Sequence, residues 1–125
     1  GNEAQPALKT IYETPFHLLD AQSLRSLLDQ EYGKTIRLGD LARAFNVSDS
    51  HLSACIKQKL GISFSNYILN KRMEKAAELL RGTKLEILEV SEKVGFTDYF
   101  YFLRIFKRTY GLSPGRYRRQ RNGPA

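Results

Sequence analysis

The chain has no tryptophan, one methionine, one cysteine and two histidines among its 125 residues. A lone Cys55 excludes an internal disulfide framework and suits a reducing compartment. Together with His17 and His51 it makes no metal-ligand spacing, so neither a metal nor any other cofactor is expected. On an apolar stripe, Cys55 reads as a small packed side chain rather than a reactive thiol. No nucleophile stands with a base and no glycine-rich phosphate loop occurs, which argues against an enzyme. No apolar run is long enough to cross a bilayer, and no signal-peptide pattern appears. Acidic residues stop at Asp98, and none follows it.

What is present in excess is positive charge, a formal +7. It is unevenly spread. Residues 1–33 hold Lys9 and Arg25 against Glu3, Glu13, Asp20, Asp29 and Glu31. The last stretch carries Arg104, Lys107, Arg108, Arg116, Arg118, Arg119 and Arg121 with nothing to offset them. Such a gradient points to a polyanionic partner, nucleic acid before membrane. The length allows one domain or two very small ones, with about two-thirds of the unfolded surface buried.

Apolar spacing predicts an all-α chain of about seven helices. Residues 1–19 contain Pro6 and Pro15, show no clear periodicity and read as a linker or tail; Phe16, Leu18 and Leu19 are apolar enough for its end to dock. A first helix runs from Asp20 to about Tyr32 with Leu24, Leu27 and Leu28 inward, and Gly33 stops it. Leu38 to Phe45 forms a second, weakly capped at Arg37, with Leu41, Ala42 and Phe45 inward. Asn46-Val47 makes the turn, since Asn tolerates the left-handed conformation. Ser48 caps a third helix that buries Leu52, Cys55, Ile56 and Leu60 and ends at Gly61. Helix, short turn, helix is the helix-turn-helix motif. Ser63 caps a long fourth helix, apolar around much of its girth and therefore flanked on two sides. A fifth covers Ile87 to Val94, with Gly95-Phe96 as the turn. Thr97-Asp98 caps a sixth that buries Phe102, Ile105, Phe106 and Tyr110 and ends at Gly111. Ser113-Pro114 opens the last, with proline at the first helical position.

The two halves repeat. A shift of 49 carries Leu38, Leu41, Ala42, Phe45, Asn46 and Val47 onto Ile87, Val90, Ser91, Val94, Gly95 and Phe96. A shift of 50 carries Leu52, Ile56, Lys57, Gly61, Ser63 and Tyr67 onto Phe102, Phe106, Lys107, Gly111, Ser113 and Tyr117. The second copy has one extra residue in its turn, and Asn46 and Gly95 coincide where a left-handed residue is needed. This is the signature of duplicated helix-turn-helix units.

The stretch VSEKVGFTDYFYFLRIFKRTYGLSPGRYR, the first unit LGDLARAFNVSDSHLSACIKQKLGISFSNYI and the link NKRMEKAAELL resemble the DNA-binding domain of the AraC/XylS family of bacterial transcription regulators. The resemblance runs from about Leu24 to Arg119. Ser91 stands where that family usually has Ala, and is small enough to keep the helix contact. The implied layout is a tail at 1–19 and a DNA-binding domain at 20–121, followed by a tail at 122–125. Within the domain lie a first helix-turn-helix unit at 34–62, a linker helix at 63–81, a second unit at 85–112 and a C-terminal helix at 113–121. The implied function is sequence-specific binding of double-stranded DNA by a transcription regulator, an activator, with two recognition helices in adjacent major-groove segments. Further implied partners are RNA polymerase and an N-terminal sensor or receiver domain in a longer protein. The expected location is the bacterial cytoplasm and nucleoid, unless the full-length protein is membrane-anchored.

Matching positions assign base contacts to Tyr99, Phe100, Leu103 and Arg104 in the second unit and to Ser50, Ser53 and Ala54 in the first. Arg104 suits bidentate bonding to guanine O6 and N7. Tyr99, Phe100 and Leu103 depart from the polar residues common there, and either touch thymine methyls or are covered by protein. His51, Lys57, Lys107, Arg108 and Arg116 are the expected phosphate contacts, which position without reading sequence. A linker helix over 63–81 spans roughly 28 Å at 1.5 Å per residue. Successive major-groove faces lie about 34 Å apart, so a two-helix complex is expected to bend its DNA. Two other readings remain open on the residues alone. One is a helical protein–protein module using the Tyr99, Phe100 and Leu103 face; the weaker is RNA binding, for which no stacking-module motif is visible.

Overall fold

The computed structural model describes residues 6–34 and 36–122. Eight α-helices and one 3₁₀ turn account for the regular structure of these residues. In chain order they are α1 (Leu8–Glu13), the 3₁₀ turn Phe16–Leu18, α2 (Ala21–Glu31), α3 (Leu38–Ala44), α4 (Asp49–Leu60), α5 (Phe64–Gly82), α6 (Ile87–Lys93), α7 (Tyr99–Tyr110) and α8 (Pro114–Asn122). They divide into two compact units. Among the described residues, the first holds 6–32 together with Ile36–Leu69, and the second holds Gly33, Lys34 and 70–122.

One helix more than the sequence periodicity predicts is present, and it is α1. Its segment reads as an aperiodic tail because only Leu8, Ile11 and Tyr12 are apolar and no side chain caps it at Ala7. It is nevertheless part of the first core. Ile11 and Leu19 are each 2% exposed, and the Tyr12 ring stacks on Phe45 at 5.3 Å. Phe16 packs partly against the same core, but Leu18 points outward and does not dock. Of the expected tails at 1–19 and 122–125, residues 1–5 and 123–125 lie outside the described residues.

The first core is built where the 3.6-residue period places it: Leu24, Leu27 and Leu28 of α2, Leu41 and Ala42 of α3, Leu52 and Ile56 of α4. Each buried leucine or isoleucine contributes about 1.5–3 kcal/mol. Cys55 is half-buried beside them. Ile68, near the start of α5, completes this core, and the Tyr67 hydroxyl donates to Asp29 at 2.8 Å.

The second core gathers Met73, Ala76, Ala77 and Leu80 of α5 with Val90 and Val94, and with an aromatic cluster from α7 and α8. Phe106 is its centre, with ring centroids at 5.9 Å from Phe102, 4.7 Å from Tyr110 and 5.3 Å from Tyr117. The Tyr110 hydroxyl donates to the Met73 carbonyl at 3.1 Å. Arg72 of α5 lies over the Phe96 ring and donates to the Lys34 carbonyl. Burial pushes its pKa down.

The duplication holds bond by bond. Val47 N–H donates to Ala42 and Asn46 N–H to Arg43; Phe96 N–H donates to Ser91 and Gly95 N–H to Glu92. Both pairs are the 6→1 and 5→2 bonds of a Schellman turn. Asn46 at φ 57° and Gly95 at φ 98° hold the left-handed position. Ser91, 1% exposed, turns its hydroxyl back to the Leu88 carbonyl, so a polar residue is buried here without an unpaired group. The register also reaches further back than helix, turn and helix. A shift of 49 carries buried Leu24, Leu27 and Leu28 of α2 onto buried Met73, Ala76 and Ala77 of α5. The second unit therefore uses the body of α5 as the first unit uses α2.

Candidate nucleic-acid interface

In each unit the helix after the turn is pinned at its start and stripped of cover on one side. Ser48 Oγ accepts the His51 N–H at 3.0 Å, and Asp98 Oδ1 accepts the Tyr101 N–H at 3.0 Å. Each helix ends at a left-handed glycine, Gly61 or Gly111, whose N–H closes on Lys57 or Lys107. The same backbone device thus presents two helices with different side chains.

On α4, the outward residues Ser50, Ser53, Ala54 and Lys57 are exposed. His51 is exposed too, but its ring is met edge-on by Phe16 at 5.2 Å. The turn Phe16–Leu18 therefore sits beside α4. Lys59 of α4 donates to the Leu19 carbonyl, which clips the same segment in place.

On α7, Phe100 is 70% exposed, and Arg104, Lys107 and Arg108 are exposed with it. Tyr99 and Leu103 are half-buried at the border of this face. Tyr99 and Phe100 meet edge to face at 5.7 Å. Tyr101 is the residue sequence reasoning missed. It is 40% exposed, and the Arg104 guanidinium lies over its ring at 5.7 Å. The repeat holds the signal for it, since Tyr101 is the counterpart of His51 under the shift of 50.

On α8, Arg116 and Arg119 are exposed. Arg118 is not free surface charge: its Nε donates to the Leu80 carbonyl at 3.0 Å. It satisfies a carbonyl near the C-terminal end of α5, where the helix dipole favours a cation. Arg121 lies over the Tyr117 ring at 5.5 Å. Among the described residues no group of His, Cys, Asp and Glu could hold a metal ion, and no helix is long and apolar enough to cross a membrane.

Two capped helices, each presented by a left-handed turn with one face uncovered, define a double helix-turn-helix DNA-binding domain. A family model described as a helix-turn-helix domain matches residues 41–120. The C-terminal domain of AraT, a response regulator from Geobacillus stearothermophilus, is 42% identical with a TM-score of 0.75, over 81% of this chain and 84% of that one. The chain belongs to this family, the AraC-type DNA-binding domains of transcription regulators, which are not enzymes. The Msm operon regulatory protein of Streptococcus mutans is 34% identical over 78% of this chain, which spans only 35% of that protein. At 20% identity the DNA-binding domain of AdpA, solved in complex with a target DNA, shares the fold with a TM-score of 0.75 over 86% of this chain and all of that one.

Proposed function

We propose that α4 and α7 are the recognition helices and that each enters a major-groove segment of its operator. Arg104 and Phe100 are the principal base-reading residues, with Tyr99 and Leu103 beside them. Ser50, Ser53 and Ala54 face bases from α4, where short side chains leave little to discriminate with. His51, Lys57, Lys107, Arg108 and Arg116 hold phosphates. The observation that carries this reading is the uncovered side of α7, where cations and an exposed aromatic share one face of a capped helix.

The relatives' greater length supports a further reading, in which a sensor or receiver domain on the same polypeptide governs these helices; RNA polymerase is the partner that a promoter-bound regulator would meet. The bacterial cytoplasm, at the nucleoid, is the location that fits.

The test is selection of sites from a random duplex library, followed by anisotropy titrations at several salt concentrations. Tight binding to selected sites is expected, with log K falling linearly against log salt. Selected and scrambled duplexes bound alike would overturn base reading. An affinity insensitive to salt would favour the protein–protein use of the Phe100 face, which neither the family nor the relatives support.

A further inference from the structure

The outward side of α7 contrasts with that of α4 in chemistry rather than in geometry. Under the shift of 50, Ser50 becomes Phe100, Ser53 becomes Leu103 and Ala54 becomes Arg104. Two short hydroxyl residues are thus replaced by large apolar ones. Phe100 is 70% exposed, and its ring carries neither donor nor acceptor. Its neighbour Tyr99 meets it edge to face at 5.7 Å, and half-buried Leu103 follows one turn later on the same side. Arg104, also one turn on from Phe100, sits where its guanidinium is steadied by Tyr101.

The thymine C5-methyl is the one sizeable apolar group on the major-groove edges; apart from small C–H groups such as cytosine C5–H, the rest donate or accept hydrogen bonds. Pressing Phe100 and Leu103 against a purine edge or a cytosine amine would strip water from a polar group and return nothing. Pressing them against a methyl removes apolar surface from water on both sides. We infer that the second unit selects its operator half through thymine methyl groups, with Phe100 and Leu103 as the methyl-reading residues and Arg104 marking an adjacent guanine. This rests on α7 being a recognition helix, and it names the chemical group that helix reads.

The experiment separates the two claims. Duplexes recovered by selection are remade with deoxyuridine replacing thymine at one position at a time, which deletes the methyl and leaves every hydrogen-bonding group in place. For the wild-type domain, one or two positions should weaken binding about fourfold each, the value of one buried methyl. Phe100→Ser, which copies the residue at position 50, should bind thymine and uracil duplexes alike at the position Phe100 reads. Phe100 lies outside both cores, so this variant should keep its thermal midpoint, and the wild-type comparison needs no variant at all. Sequence-selective binding with uracil tolerated everywhere would overturn methyl reading while leaving α7 as a recognition helix. Uracil sensitivity that persists undiminished at every sensitive position in Phe100→Ser would overturn the assignment to this residue. No preference for selected DNA at all would overturn the recognition-helix reading first.

Discussion

Arg72 closes over Gly95: a β-carbon built on the glycine would lie 3.1 Å from the guanidinium carbon and Nε. The second turn is thus restricted twice, by a φ of 98° and by the side chain that covers it. Gly95→Ala is expected to lose roughly 1–2 kcal/mol from the left-handed conformation, with the displacement of Arg72 from Phe96 added. Gly82 is the opposite case. It ends α5, a β-carbon there meets nothing within 4 Å, and Gly82→Ala should gain about 0.5–1 kcal/mol. Urea unfolding checks both, and equal signs would refute the argument.

Arg104 and Tyr101 are expected to act as a pair. Arg104→Ala should cost about 1–3 kcal/mol on a selected site and relax one base position. Tyr101→Ala should blunt the same position, because the guanidinium loses the ring that orients it. A double-mutant cycle on the selected duplex should return a coupling of about 0.5–1 kcal/mol. Additive effects would show that the ring does not position Arg104.

Lys107 is exposed one turn beyond Leu103 and Arg104. Lys107→Ala should weaken selected and scrambled duplexes about equally and reduce the salt slope by roughly one. A loss confined to one sequence would instead make Lys107 a base reader.

Alkaline pH should loosen the first unit at a defined place. Burial, and secondarily the neighbouring Glu31 carboxylate, pushes the Tyr12 hydroxyl from 10.0 up to about 12. A folded-state pKa raised above the unfolded one contributes stability that is complete below pH 10 and lost as pH rises toward 12. Tyr110 in the second unit is also shifted upward by burial, so the comparison must be made against Tyr12→Phe. That variant should show a shallower fall in urea midpoint between about pH 10 and 12 than the wild type. Identical slopes would mean that Tyr12 does not report on folding.

Much of this architecture is legible in the residues because its joints are chemical. A left-handed turn accepts Asn46 or Gly95 and little else; Ser48 and Asp98 are cap residues that form the bonds their type suggests. Buried faces at 3.6-residue spacing follow directly. Helix α1 escapes because six residues are too few for a period, and its burial is decided by Phe45 and Glu31 far along the chain. The uncovered side of α7 can be read from its charges. Tyr101 cannot, since it lies at the border of the buried stripe and its partner Arg104 is a matter of rotamer. Arg118 looks like one more surface cation, and only the packed structure shows it bound to the Leu80 carbonyl.

Helix α5 gives Ile68 to the first core and Met73 to the second, little more than one turn apart along the same helix. The duplicated halves consequently have no loop between them. A genetic crossover that exchanged one half for that of another regulator would have to fall inside a helix, and would leave a working protein only if the donor continued the periodicity in step. Lineages of such domains should therefore diverge by substitution on α4 and α7 far more readily than by shuffling whole units. An engineer who wants a hybrid operator specificity is better served by rewriting the outward faces of those two helices than by grafting halves.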